Sequence, residues 1–293
     1  MLQKPLLPES ATSAITPFKT QLLKWVGNKQ RFAHEIISYF PEKFDTYYEP
    51  FIGSGAVLAT LSPNSAVASD IFLPLVEIWN ALTEDPEVLK DWYAKRWEQV
   101  MLGDKKVGYE KIKASYNKNP NGADLLFLCR SCYGGVVRFR QSDGYMSTPC
   151  GVHSPISPES FNTRVELWHK RFKKTKIVHC DFETIMKTAK KGDLVYCDPP
   201  YTDTQSILYG AHKFSLERLI ETIKSCKRKG VRVALSIDGS KKSGSKKCHI
   251  SFPGGIFESE VLVNCGRSML RRFQMSGESL ESEVVADRLL LTY

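Results

Sequence analysis

The stretch that most constrains this chain is Asp193-Leu194-Val195-Tyr196-Cys197-Asp198-Pro199-Pro200-Tyr201. Its apolar half is a short run bounded by charge and by two prolines, which predicts a buried strand, most simply of a parallel sheet. Neither proline can donate to a ladder, so the strand must end at Asp198. Ligands of open α/β sheets bind beyond the carboxyl ends of the strands, and this end presents a carboxylate, rigid carbonyls and an aromatic ring there.

The chemistry of this strand end suits one kind of ligand group. Asp198 and the carbonyl of Pro199 are hydrogen-bond acceptors, and Tyr201 offers a flat face and a hydroxyl. Two acceptors beside a ring suit an exocyclic NH2 group on a heterocycle that stacks on Tyr201. The alternative is a strand that simply turns and leaves its aspartate in solvent. A lone Asp-Pro favours that alternative, whereas Asp-Pro-Pro-Tyr after a buried run favours a binding site.

Residues 46–70 show a second pattern, the start of a nucleotide-binding βαβ unit. A predicted strand runs into Gly53-Ser54-Gly55, a short helix follows, and a second strand of small residues ends in Asp70. The two glycines allow a ligand to approach the backbone. Asp70 lies close to the spacing of ~20 residues at which an acidic side chain binds ribose hydroxyls. A nicotinamide dehydrogenase also fits this fragment, but valine and leucine at 57 and 58 interrupt the full glycine fingerprint.

Two further segments carry candidate binding residues. Trp25 and Lys29 flank a Gly-Asn turn that opens a predicted helix, and a lysine at a helix start attracts a carboxylate. The alternative is that Trp25 is core and Lys29 is solvated. Asp181 and Phe182 follow a strand predicted at 176–180, where an acid and a ring can hold a heterocycle by its amino group and its face.

The charge of the chain is concentrated in its middle. Residues 90–176 carry 17 basic and 8 acidic side chains, whereas residues 1–89 carry 6 and 10. Within this segment, alternating apolar and basic residues surround Asp143-Gly144, which predicts a β-hairpin with Arg138 and Arg140 on one face. A basic module between less charged parts indicates contact with a polyanion, and the alternative is a solvated surface of helices.

The periodicity of the chain predicts an α/β protein in which strands alternate with helices. Residues 1–20 are polar and lack a period, so we expect a loosely held arm. The predicted helices lie at 30–40, 56–61, 73–82, 86–101, 109–116, 123–133, 157–172 and 215–229. The predicted strands lie at 46–51, 66–70, 176–180, 193–198, 231–236, 257–263 and 284–293.

Composition excludes several classes of protein. No run approaches the ~20 apolar residues of a membrane span, and the start lacks a signal-peptide pattern, so we expect a cytoplasmic protein. Its eight cysteines are then expected to be reduced. Cys129 and Cys132 form a Cys-x-x-Cys within an apolar run and without a second pair, which favours buried thiols over a zinc site.

The motifs, taken in order, resemble one family. Lys24–Lys29 reads K-W-x-G-x-K, residues 49–55 read E-P-F-x-G-x-G, Asp70 ends a strand, and D-P-P-Y follows an intervening basic segment. This order is similar to that of the Dam-like (alpha-group) adenine-N6-specific DNA methyltransferases. The resemblance covers nearly the whole chain, and the joint pattern is far more specific than any one motif.

The resemblance implies a Rossmann-like methyltransferase sheet that depends on S-adenosylmethionine (AdoMet), with an inserted, mostly helical target-recognition region that carries a β-hairpin. The catalytic domain is then 21–80 and 176–293, and the inserted domain is 81–175. The implied activity is site-specific methylation of the adenine N6 amine in duplex DNA, with base flipping and without a metal. We expect a bacterial or phage-encoded monomer of the restriction-modification type, and a cognate restriction endonuclease fits this role.

The resemblance also implies roles for individual residues. The catalytic residues are Asp198, Pro199 and Tyr201. The cofactor-binding residues are Trp25, Lys29, Glu49, Phe51, Gly53, Gly55, Asp70, Asp181, Phe182 and Asp198. The DNA-binding residues are Arg130, Arg138, Arg140 and Tyr145.

The chain departs from the family pattern mainly where DNA is expected to bind. Phe72, Cys129 and Gly134 stand where asparagine is usual, and Leu216-Glu217-Arg218 replaces an Asp-His pair. These departures bear on the recognised sequence rather than on the reaction. The alternatives are an RNA or cytosine-N4 amino-methyltransferase, a DNA-binding module without activity, and a nicotinamide oxidoreductase.

Overall fold

The computed structural model describes residues 15–140, 142–200, 214–241, 246–247, 252, 254–266 and 285–293. The strands are β1 (Tyr47–Glu49), β2 (Ala66–Asp70), β3 (Thr175–His179), β4 (Leu194–Cys197), β5 (Arg232–Lys241), β6 (Lys246–Lys247), β7 (Ser259–Gly266) and β8 (Val285–Leu291). The α-helices are α1 (Ala33–Ser38), α2 (Ala56–Leu61), α3 (Leu73–Glu84), α4 (Pro86–Met101), α5 (Lys105–Lys118), α6 (Gly122–Ser131), α7 (Pro158–Phe172), α8 (Phe182–Met186) and α9 (Leu216–Arg228).

The strands form one sheet in the order β3-β2-β1-β4-β5-β8-β7, with β6 paired to β5. The first five strands of this order are parallel, and β8 is antiparallel to both β5 and β7. Because the strand order reverses beside β1, the carboxyl ends of β1 and β4 flank the switch point of an open α/β sheet, where ligands bind. The predicted Rossmann-like α/β sheet is confirmed.

The core lies on both faces of the sheet, as alternation along β4 requires. Leu194 and Tyr196 join one buried cluster, and Val195 and Cys197 join the other. The first cluster lies under α1–α7, while the second is covered by α8 and α9. This double covering explains why β4 is a continuous apolar run rather than an alternating one.

The helices between β2 and β3 form the inserted region. Here α3 packs on α6 and α4 packs on α7, and the rings of Tyr93 and Phe161 stack 4.0 Å apart. The helix α3 crosses the boundary that we placed at residue 80 and also contacts β3. The division into two domains therefore stays a prediction, and the two parts share a continuous core.

The predicted hairpin forms around Asp143-Gly144. The amide of Arg140 donates to the carbonyl of Tyr145 (2.9 Å), and Phe139 forms a bridge with Met146. A second bridge joins Cys132 to Cys150 at the base of the hairpin. Gln141 lies outside the described residues.

The expectation of a loosely held arm is wrong for residues 15–20. Phe18 is buried, its ring lies 5.5 Å from that of Trp168, and the guanidinium of Arg171 lies 4.2 Å from its ring centroid. The indole of Trp168 also donates to the carbonyl of Thr20 at 2.8 Å. One aromatic residue in a polar segment was too weak a periodic signal to predict this packing. The part of the arm at 1–14 lies outside the described residues.

The structure bears on the membrane span and on the Cys-x-x-Cys considered from the sequence. Within the described ranges, no helix is both long and apolar enough to cross a membrane. Cys129 and Cys132 are buried free thiols, and burial raises the pKa of Cys132 to about 12. The prediction of buried thiols at this Cys-x-x-C is confirmed.

Candidate active site

A cavity of about 360 Å³ opens at the sheet edge where β1, β2 and β4 end. Most of the predicted binding residues line it: Trp25, Lys29, Glu49, Phe51, Gly53, Asp70, Asp181, Phe182 and Asp198. Pro200 lines it as well, whereas Gly55 and Pro199 do not. Tyr201, the predicted stacking residue, lies outside the described residues.

The glycine loop and Asp70 form one wall of the cavity. The carboxylate of Asp70 accepts from the amides of Gly53 (3.2 Å) and Phe72 (3.0 Å), while the indole of Trp79 donates to the carbonyl of Gly53 (3.1 Å). Burial raises the pKa of Asp70, and the hydrogen bonds from the backbone amides of Phe72 and Gly53 oppose the rise. The loop and the carboxylate are therefore held in fixed relative positions.

Packing requires a glycine at position 55. Its φ of 64° is left-handed, and a Cβ at this position would lie 2.9 Å from Cζ of Phe172 and 3.3 Å from the indole of Trp79. A side chain would thus collide with the core under α2. The predicted contact of Gly55 with a cofactor is not supported by this placement. Gly53, with a φ of 46°, is the glycine of this loop that lines the cavity.

Aromatic rings close the opposite end of the cavity. Phe51 and Phe182 stack at 5.3 Å, and Phe214 meets Phe51 edge-on at 5.9 Å. Asp181 begins α8 by accepting from the amide of Glu183 (2.9 Å). Arg218 donates to Asp181 (3.1 Å), and its guanidinium lies 5.2 Å from the ring centroid of Phe182. Arg218, where the family pattern differs, thus braces both residues that we predicted to hold a heterocycle.

A buried ion triad lies beside the strand end of β4. The ammonium of Lys29 lies 3.0 Å from Oδ1 of Asp198 and 3.3 Å from Oδ2 of Asp287. Lys29 and Asp287 are each only 5% exposed, so this ammonium is engaged by protein carboxylates within the core. The alternative of a solvated Lys29 is therefore wrong.

Glu49 is the third carboxyl group in this part of the site. It is 3% exposed and accepts a hydrogen bond of 2.7 Å from the hydroxyl of Tyr47. Burial raises the pKa of Glu49 to about 8; the hydrogen bond from Tyr47 opposes the rise and the charge of Asp198 adds to it. Glu49 is thus neutral over most of the physiological range, whereas Asp198 and Asp287 are the carboxylates that contact Lys29.

The predicted DNA-binding residues divide into two groups. Arg138 and Arg140 are exposed on the hairpin, and Arg140 forms hydrogen bonds to Asp143 (2.6 and 3.1 Å) while lying 4.2 Å from the ring centroid of Tyr145. Arg130 is 7% exposed and donates to the carbonyl of Leu22 at 2.7 Å. The guanidinium of Arg130 thus serves the fold, which weighs against the DNA contact predicted for it.

Three residues of the site were missed by the sequence analysis. Asp287 and Phe214 belong to segments far along the chain, and Phe72 was noted only as a departure from a family pattern. Phe72 lines the cavity, its ring lies 6.1 Å from that of Trp25, and it meets Phe139 of the hairpin edge-on at 5.7 Å. The available signal for Asp287 was a pair of charged residues, Asp287-Arg288, inside a largely apolar strand: alternation turns one of the two to each face, and a charge on a buried face requires a partner.

These features define a class of protein. A doubly wound sheet with an antiparallel β8, a glycine loop after β1, an acid at the end of β2 and Asp-Pro-Pro after β4 together describe a Rossmann-like methyltransferase. Among the described residues, no group of histidine, cysteine and acidic side chains is arranged to hold a metal ion.

Comparison with known proteins specifies the family. The family model of the D12 class N6 adenine-specific DNA methyltransferases matches residues 25–258. The chain belongs to this family.

Curated relatives carry matching names. The DNA N-6-adenine-methyltransferase of Escherichia phage P1 is 26% identical over 235 residues, which are 76% of this chain and 30% of the phage protein. The type II methyltransferase M1.LlaDCHI of Lactococcus lactis is 28% identical over 235 residues, which are 74% of this chain and 80% of that protein. The DNA adenine methylase of Haemophilus influenzae is 25% identical over 66% of this chain and 69% of its own length.

One comparison with solved structures gave a distant likeness. The rRNA methyltransferase aviRa of Streptomyces viridochromogenes shares 12% identity over 89% of this chain and 84% of its own, with a TM-score of 0.37. These values support no argument about the substrate of this chain.

Proposed function

We propose that this chain transfers a methyl group from AdoMet to the N6 amine of a flipped adenine in a specific site of duplex DNA. The observation that carries the proposal is the position of Asp198. Its carboxylate stands at the end of β4, in the wall of the same cavity as the glycine loop, Asp70 and the aromatic rings. An acceptor for the target amine and a nucleotide-type site are thereby brought together.

The residues of the cavity suit AdoMet. The buried carboxylate of Asp70 can accept from ribose hydroxyls, since the backbone already fixes its orientation. The rings of Phe51 and Phe182 and the carboxylate of Asp181 can hold the adenine of the cofactor by its face and amino group. When bound, AdoMet supplies a methyl group on a cationic sulfur, so the transfer requires no covalent enzyme intermediate.

The role proposed for Asp198 follows from the electronic structure of adenine. The lone pair of the N6 amine is delocalised into the ring, which makes the amine a poor nucleophile. Acceptors at Asp198 and at the Pro199 carbonyl hold its N–H bonds, orient the nitrogen and favour the positive charge that develops on it. We propose that Lys29 orients Asp198 rather than binding the cofactor carboxylate, because its ammonium already contacts Asp198 at 3.0 Å.

Access to this site requires that the base leave the helix. A base inside a duplex cannot reach a cavity at a sheet edge, and flipping costs about a few kcal/mol of stacking and pairing. Stacking on Tyr201 is proposed to compensate part of this cost. The exposed Arg138 and Arg140 on the hairpin are proposed to contact the DNA beside the flipped base.

We propose that the enzyme acts as a monomer on DNA in the cytoplasm of a bacterial or phage-infected cell, with a cognate endonuclease as a candidate partner. Light scattering of the purified chain with and without duplex DNA measures its oligomeric state. A stable dimer in both samples would contradict the monomer.

The test of the proposed function is methyl transfer by Asp198→Ala. We expect a loss of at least about 100-fold in the transfer rate, as for removal of a group that stabilises developing charge, while AdoMet affinity falls only partly. The substrate is methylation-free genomic DNA incubated with labelled AdoMet. Mass spectrometry of the digested nucleosides identifies the product, and N4-methylcytosine, or methylation of RNA alone, would overturn the assignment. Full activity of Asp198→Ala would overturn the mechanism.

A further inference from the structure

The last strand, β8, brings a buried acid to the active-site edge. Because β8 runs antiparallel to β5, its beginning lies at the edge where the parallel strands end. Asp287 is the third residue of β8 and shares a sheet face with Leu289 and Leu291, which pack in the same core cluster as Tyr196 of β4. A carboxylate on this face has left water and requires a partner.

The partner of Asp287 is Lys29, which is also the partner of Asp198. The ammonium lies between the two carboxylates, at 3.3 Å from Asp287 and 3.0 Å from Asp198. An ammonium has three rotatable N–H donors on a flexible stem, so one contact alone leaves its direction poorly determined. A second carboxylate, on β8, restricts the direction of the ammonium further. Burial keeps this arrangement from being screened by solvent.

This arrangement has a consequence for Asp198. Oδ1 of Asp198 is the oxygen that contacts Lys29. If Asp287 lost its charge, Lys29 would attract Asp198 more strongly, which would draw that carboxylate towards the lysine and weaken it as an acceptor. A buried ion pair does not in itself indicate a role in stability, since apolar replacements are often as stable. The position of this ion triad beside the reaction site instead suits a role in placing the acceptor Asp198.

We propose that Asp287 is a positioning residue of the methyl-transfer reaction: it holds the ammonium of Lys29, and through Lys29 it sets the orientation and acceptor strength of the Asp198 carboxylate. The inference rests on the proposed function. It goes beyond that function because it assigns a role to a residue outside the family motifs, on a strand that the cofactor cavity does not include.

The experiment measures the chemical step in the full chain. Methylome sequencing of cells that express the wild type first identifies the target site, and a duplex oligonucleotide with this site is then used in single-turnover transfer with labelled AdoMet. We expect Asp287→Asn to lower the single-turnover rate constant by about tenfold to a hundredfold, as misplacement of a reacting group by ~1 Å does. We expect the Kd for AdoMet to change less than about threefold, because Asp287 does not line the cofactor cavity.

A mutant cycle tests whether Asp287 acts through Lys29. Lys29→Met removes the intermediary. Adding Asp287→Asn to Lys29→Met is therefore expected to lower the single-turnover rate constant by less than about threefold. Effects that multiply would overturn the proposal. Asp287→Glu keeps the charge but moves it by one methylene, and its rate is expected to lie between those of the wild type and Asp287→Asn. If Asp287→Asn does not fold, a folded Asp287→Glu with the wild-type rate overturns the proposal.

The matched control is Glu260→Gln. Glu260 of β7 pairs with Arg288 of β8 at 2.6 Å. Because Arg288 follows Asp287 in β8, this pair lies on the face of the sheet opposite to Asp287. This variant removes an ion pair next to Asp287 without touching Lys29, and its rate is expected to equal that of the wild type. A comparable loss in the control would assign the effect to sheet stability and overturn the proposal. Absence of DNA methylation by the wild type overturns the proposed function itself, whereas an active wild type with an unaffected Asp287→Asn overturns only this inference.

Discussion

The buried carboxyl of Glu49 is expected to make the unfolding free energy of the protein depend on pH. In the folded protein, burial raises its pKa from the ordinary value of 4.5 to about 8. Below pH 4.5 the carboxyl is neutral in both states. As pH rises towards 8 only the unfolded chain loses the proton, so the folded state becomes progressively less favoured. The stability lost is the cost of keeping the group protonated and, above pH 8, of burying its charge.

The variant Glu49→Gln removes this titration. An amide resembles the protonated carboxyl and can still accept from the hydroxyl of Tyr47, which lies 2.7 Å from the carboxyl oxygen. At 1.36 kcal/mol per pH unit, the wild type is expected to lose about 3 kcal/mol of unfolding free energy relative to Glu49→Gln between pH 5.5 and 8.5. That is a large share of the ~5–15 kcal/mol that stabilises a typical domain.

The assay is urea unfolding of both proteins, without cofactor, at these two pH values and equal ionic strength. Glu260→Gln serves as control: pairing with Arg288 lowers the pKa of Glu260, so this group stays ionised over the whole window. Between the two pH values, the unfolding free energy of Glu260→Gln is expected to change by the same amount as that of the wild type. If Glu49→Gln instead shows the same change with pH as the wild type, Glu49 is not held protonated and the reasoning is refuted.

Three further predictions concern the glycine loop, the aromatic end of the cavity and the hairpin. Gly55→Ala is expected to lower the unfolding free energy by about 2–4 kcal/mol, because its Cβ would meet Phe172 at 2.9 Å in a left-handed conformation; chemical unfolding measures it, and an unchanged midpoint contradicts it. Phe182→Ala is expected to weaken AdoMet binding by about tenfold in calorimetry, since it removes a stacked ring, and equal affinity would exclude Phe182 from the site. Arg138→Ala is expected to weaken binding to the target duplex by about 1–3 kcal/mol, whereas Lys224→Ala, on a helix over the other sheet face, is expected to leave it unchanged in the same anisotropy titration.

Much of the sheet was predictable because its signals are local. The run before Asp198 and the small-residue strand before Asp70 are bounded by residues that end a strand, and both formed where predicted. The short helix α8 was missed, since five residues after a strand carry little periodicity and its start depends on the Asp181 cap. The hairpin was predictable because Asp-Gly is a specific turn signal.

The site was less predictable where it depends on packing between distant segments. The family resemblance implied DNA contact for Arg130, but its burial against the backbone of Leu22 follows only from the fold. Gly55 belongs to a ligand-binding type of loop, yet the neighbouring Phe172 from α7 decides its role. Asp287 became meaningful only when the sheet order placed β8 beside β5, because no local pattern links it to Lys29.

The position of β8 also bears on how the molecule reaches its working form. This strand follows β7 in the chain but lies between β5 and β7 in the sheet, so in the described sheet β7 is joined to the parallel strands through β8. Pairing of β8 with β5 therefore brings Asp287 to Lys29 and also covers an edge of β5 that would otherwise be open to foreign strands. The complete charge centre thus depends on the docking of β8, which ties competence for modification to the completion of the sheet.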